Sequence, residues 1–163
     1  MIPRRRSPGQ ILETLHCLHE ACNRKCLTNQ CRRGQCTLKL PSQRILCVDC
    51  DQCDCFPEDV KKPDFILLYI GSKPSLLQWF VVEMKARVRD PGDIVKQLQA
   101  GADAIQNNPR FRISGVDQLL VALILHDKHA RTADFAQKSV KFLGRSLIVN
   151  NKRCGFELKD LLM

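Results

Sequence analysis

The sequence predicts an α/β fold of the mixed α+β kind, and three observations carry that expectation. Two apolar runs, 65–70 and 79–84, each have the length of a buried strand, and the turn-forming stretch GSKPS lies between them. A helical pattern follows, running to about Asn107. A third apolar run, QLLVALIL at 118–125, comes after the helix, as a buried strand of a mixed sheet would. At 163 residues the chain is long enough for one core and one compact domain.

Residues 1–8 read as a basic, disordered arm. A helix is expected from Gly9, with Ile11, Leu15, Leu18 and Cys22 on one stripe. Within 9–56 this helix leads into a cysteine-rich segment with few large apolar residues, so metal or disulfides must stabilise it. A short strand is expected at 44–48. The core proper is assigned to 57–163. Its strands at 64–70 and 78–86 are joined by a short loop and should be antiparallel neighbours. Asp90 or Asp93 can cap the helix, and Asn108–Pro109 ends it. Its buried stripe is Ile94, Leu98, Gly101, Ala102 and Ile105, with Gln97 on the flank. The run at 118–125 is expected to be buried and parallel. Two short strands surround Gly144, and a turn is expected at Asn150–Asn151.

The net charge is +9, from 26 Lys and Arg against 17 Asp and Glu, which favours an acidic partner such as nucleic acid. No apolar run approaches the ~18 residues of a membrane span. The basic start MIPRRRSPGQ leads into a pattern containing Glu13, His16, His19 and Glu20, unlike the apolar core of a signal peptide. An intracellular, cytoplasmic location is therefore expected, where disulfides are uncommon.

Glu83 and Lys85 carry the chemistry. They share a strand face with Trp79 and Val81, while Phe80, Val82 and Met84 point the other way. Burying a carboxylate and an ammonium there is costly unless they are paired or bound to metal. Asp64, opening the neighbouring strand, can meet Glu83 at one sheet end. Hard oxygen ligands of this kind suit Mg²⁺ or Mn²⁺. Lys85 would stand beside the attacking water and offset charge in the transition state.

Pro63-Asp64, Glu83-Met84-Lys85 and the following helix with Gln97 together resemble the PD-(D/E)xK nuclease superfamily, which includes restriction endonucleases and Holliday-junction resolvases. The resemblance spans about 60–125 plus the opening helix. It implies a restriction-endonuclease-like core of helix, antiparallel strands, helix and strand, carrying here a cysteine-rich N-terminal insertion. It implies that Asp64 and Glu83 bind the divalent metal with the Met84 carbonyl, that Lys85 is catalytic, and that Gln97 orients the site. An acid on the first helix would be Glu20, preferred over Glu13. Two decoys, Glu157-Leu158-Lys159 and Pro57-Glu58-Asp59, lie outside long buried runs.

Nine of the ten cysteines fall between residues 17 and 55. Cys22, Cys26, Cys31 and Cys36 form one group, and Cys47, Cys50, Cys53 and Cys55 another. Soft thiolates this close together favour structural Zn²⁺, with an iron–sulfur cluster or disulfides as the alternatives. Cys17 and Cys154 read as core thiols. Asp49, Asp51 and Asp54 read as solvated acids. His16 and His19 read as surface or cap residues, and His126 and His129 as candidates for substrate contact.

The expected function is thus a Mg²⁺- or Mn²⁺-dependent endonuclease or exonuclease acting on DNA, with a homodimer as a common arrangement among such enzymes. Arg24, Lys25, Arg32, Arg33, Arg87 and Arg89 would contact phosphate. The rival reading is a non-catalytic, zinc-stabilised nucleic-acid-binding or adaptor module. A single Trp and a single Tyr argue against a base-stacking binder of single strands.

Overall fold

The long strands form where the sequence is apolar on both faces, and the helix forms where apolar residues recur on one. The computed structural model describes residues 26–42, 45–53, 56, 59–70, 76–108, 111, 113, 115–127, 135 and 137–163. The basic arm, the opening helix with Glu20, and Cys22, Arg24, Lys25 and Cys55 lie outside the described residues. So do His16, His19, His129, the loop at 71–75 and the Pro57-Glu58 part of one decoy.

The central sheet contains β3 (Ile45–Asp49), β4 (Phe65–Ile70), β5 (Leu76–Lys85), β6 (Asp117–His126) and β9 (Asn150–Arg153), in that order. β3, β4 and β5 form an antiparallel meander. β5 continues into α1 (Pro91–Asn107), and β6 returns parallel to β5. Two small hairpins complete the strands: β1 (Cys31–Arg33) with β2 (Cys36–Leu38), and β7 (Ser139–Phe142) with β8 (Arg145–Ile148). The architecture is therefore mixed α/β, and the cysteine-rich segment supplies β3 to the same sheet as the core strands.

Each face of the sheet has its own core. On one, Ile66, Leu68, Trp79, Val81, Ala122 and Ile124 pack with Ile94, Leu98, Ala102 and Ile105 of α1. On the other, Phe65, Leu67, Phe80, Val82, Met84, Leu123 and Leu125 pack with Cys31, Cys36, Leu38, Cys47 and Leu158. This double burial explains the continuous apolar runs, since neither face of β4, β5 or β6 is left to water.

Asp90 caps α1 by accepting a hydrogen bond from the Asp93 amide, and Pro91 opens the helix. Gly101 lets α1 approach the sheet. A Cβ there would lie 2.7 Å from Pro63 Cγ and 2.8 Å from Val81 Cγ1. Gln99 and Gln106 bind the backbone of Lys141 and Leu143 and so fasten the β7–β8 hairpin to α1.

Two expectations are corrected. Asn150 and Asn151, read as a turn, begin β9, because pairing with β6 overrides the turn preference of asparagine. Cys154, read as a core thiol, is disulfide-bonded to Cys36.

Candidate active site

The register of β4 against β5 builds the site. Phe65 pairs with Val82, so one step further Asp64 stands across from Glu83. Opposed residues of an antiparallel pair share a face, and this is the face that α1 covers. Lys85 follows on the same face. Trp79 and Val81, which alternation puts on the strand face of Glu83 and Lys85, pack in the core that α1 covers.

The two acids are tied to each other through the backbone. The Met84 amide donates to Asp64 Oδ2 at 2.8 Å, and the Asp64 amide donates to Glu83 Oε2 at 3.1 Å. Each carboxylate turns its second oxygen to a cation. Lys85 Nζ lies 3.0 Å from Glu83 Oε1, and Arg33 Nε lies 3.3 Å from Asp64 Oδ1. Glu83 is 2% exposed, which makes it the one fully buried carboxylate among the described residues.

Burial beside a like charge controls the protonation of these groups. Burial first, and then Asp64, pushes the Glu83 carboxyl up to about 7. Burial also raises Asp64, against the pull of the Met84 amide and Arg33. Burial would lower Lys85, but its bond to Glu83 and the charges of Glu83 and Asp64 outweigh that and hold it above its ordinary value. Lys85 is therefore a fixed positive charge here, suited to orienting an anion or a water rather than to taking up a proton.

Arg33, expected as a phosphate contact, is engaged by carboxylates of the chain itself. Its guanidinium binds Asp49 at 2.6 Å, Asp51 at 3.0 Å and the Asp64 carbonyl at 3.3 Å, and it stacks over the Phe65 ring. Desolvation works against its charge, but the surrounding carboxylates more than compensate and hold the guanidinium firmly protonated. Asp49 and Asp51, read as solvated acids, are thus part of the site's surroundings. The signal for Asp49 was its position at the end of a short strand, since β3 pairs Asp49 with Phe65 at the sheet end that carries Asp64.

The remaining candidates divide. Gln97 lies on α1, and its Oε1 is buried without a hydrogen-bond partner among the described residues. Arg32, Arg87 and Arg89 are exposed, the last two just beyond Lys85. His126 is buried beside Lys85 in the β5–β6 register and hydrogen-bonds to Asn151. Glu157 and Lys159 of the decoy pair with each other on the surface.

Among the cysteines, Cys36 is removed from the expected thiolate set by its disulfide with Cys154. Spacing could not reveal this bond, because its partners are 118 residues apart. Cys31 and Cys47 face each other in the core, Cys26 Sγ donates to the Gln52 carbonyl at 3.1 Å, and Cys50 and Cys53 are buried. Among the described residues, no three His, Cys, Asp or Glu side chains gather into a ready-made metal cage. Mg²⁺ does not require one, since it keeps several waters and takes one or two carboxylates.

No family model, curated protein or solved structure matches the chain. No helix among the described residues is long and apolar enough to cross a membrane.

Proposed function

We propose that this protein is a divalent-cation-dependent nuclease that hydrolyses phosphodiester bonds in DNA, built on a restriction-endonuclease-like core. The observation that carries the reading is the meeting of Asp64 and Glu83 at one sheet end with Lys85 bonded to Glu83. The order of elements supports it: an antiparallel meander, a helix, and a strand parallel to the last of the three.

The residues fit a hard cation. Two acids face each other, and burial together with the Asp64 charge outweighs Lys85 in raising the Glu83 carboxyl. Asp64, Glu83 and the Met84 carbonyl would hold Mg²⁺ or Mn²⁺. Such an ion, when bound, polarises a scissile phosphate and makes its bound water more acidic. Lys85 then orients the nucleophile and offsets negative charge at the phosphate. Arg87 and Arg89, exposed beyond the strand, would hold the backbone of the substrate. Of the expected zinc ligands among the described residues, Cys26, Cys31, Cys47, Cys50 and Cys53 carry thiols, and metal analysis of the purified protein tests them.

Lys85→Ala should keep the protein folded, at a lower melting temperature because Glu83 loses its partner, and lower Mg²⁺-dependent cleavage by roughly 100-fold or more. Full cleavage by that variant sinks the reading. Salt-sensitive DNA binding by the parent with no cleavage in Mg²⁺ or Mn²⁺ would point to a binding module instead.

A further inference from the structure

We propose that Cys31 and Cys47 form a second disulfide, a covalent clamp that fastens the Arg33-bearing hairpin to the sheet. Their sulfurs stand 2.8 Å apart, well inside the non-bonded contact distance and less than ~1 Å beyond a disulfide bond. Both side chains are buried in the same core, on the sheet face away from α1.

The surrounding pattern gives the bond a purpose. Cys31 and Arg33 lie two residues apart on β1, and Cys47 and Asp49 lie two residues apart on β3. Alternation puts each of those couples on one strand face, so the sulfur pair and the Arg33–Asp49 ion pair are successive contacts between the same two strands. Across the hairpin, Cys36 stands opposite Arg33 and is itself bonded to Cys154. The hairpin would thus be tied down on both of its strands, with Arg33 between the ties and against Asp64.

A low-molecular-weight disulfide can supply the oxidation. Cys31 lines a surface cavity of about 280 Å³ together with Asn29, Gln30 and Thr37. The Cys31 thiolate attacks one sulfur of the small disulfide, which leaves a mixed disulfide and one free small thiol. Cys47 Sγ then attacks Cys31 Sγ and expels the second small thiol, which carries away the Cys47 proton. Two protein thiols lose two protons and two electrons, and the small disulfide is reduced by the same two electrons.

The inference does not depend on the nuclease reading, and peptide mapping tests it. The full chain is incubated with oxidised glutathione, unfolded without reductant in the presence of a maleimide, digested and analysed by mass spectrometry. The expected result is a peptide pair joining Cys31 to Cys47, lighter than the two thiol peptides by two hydrogens and separated by reductant. Maleimide on both cysteines, a bond from either to another cysteine, or protection released by a zinc chelator rather than by reductant overturns it. As a second measurement, Cys31→Ala/Cys47→Ala should melt several degrees below the parent in oxidised buffer and much closer to it in reduced buffer. An equal gap in both buffers counts against the clamp.

Discussion

Glu83 sits where burial and charge oppose each other. Its carboxyl is pushed from 4.5 to about 7, first by burial and then by Asp64, and Lys85 only partly compensates. Between those values the folded protein keeps a proton that the unfolded chain has released, so stability falls as pH rises through the window. Below 4.5 both states are protonated, and above about 7 both are ionised, so the loss is then complete and constant. Asp64 is raised as well and adds with the same sign. Chelator-treated protein should therefore show a melting temperature that declines across this range, and Glu83→Gln should make the decline shallower. A parent curve that rises with pH would contradict the account. Added Mg²⁺ should raise the melting temperature most on the alkaline side, where both acids are ionised, because a ligand that binds only the folded state stabilises it by mass action.

At the scale of elements, the site depends on how closely α1 lies on β5. Gly101 faces Pro63, which immediately precedes Asp64, and Val81, which precedes Glu83 by two residues on the same strand face. A methyl group there would fall under 3 Å from ring and side-chain carbons, closer than packed atoms tolerate. Gly101→Ala gains helix propensity but must push the helix outward, and overpacking of this kind costs about 1–3 kcal/mol. Denaturant unfolding should show that loss. If the nuclease reading holds, cleavage should fall too, although the substitution touches none of the charged groups. A variant as stable as the parent would mean that helix and sheet can separate freely. The helix stripe itself was legible in the sequence. Ile94, Leu98, Gly101, Ala102 and Ile105 are its buried residues, because a one-sided helix has only one periodic way to bury its apolar positions. The strands at 65–70, 76–85 and 117–126 were legible for the complementary reason, since burial on both faces leaves uninterrupted apolar runs.

Across the whole molecule, the Cys36–Cys154 disulfide joins the first hairpin to the segment just past β9. It closes a loop spanning most of the chain, and constraining so long a loop in the unfolded state is worth roughly 3–5 kcal/mol in the chain-entropy account. Cys36→Ala/Cys154→Ala should lose stability of that order in oxidised buffer and little in reduced buffer. Chemical denaturation in both buffers measures it, and a loss unaffected by reductant would assign the effect to packing instead. This bond draws the first hairpin and the segment past β9 onto one sheet face, where Leu158 joins the core that holds Cys31, Cys36 and Cys47.

The sequence by itself determined the three long strands β4, β5 and β6, helix α1 and the grouping of Asp64, Glu83 and Lys85, because periodicity and strand alternation act over a few residues. Tertiary structure alone decided what surrounds them. Arg33 reaches Asp64 across 31 positions of sequence, Asp49 and Asp51 join it there, and Cys36 finds Cys154. Asn150 and Asn151 become strand only because β6 offers them an edge. Contacts between distant segments depend on which faces meet once both cores have formed, and no local pattern of residue types encodes that meeting.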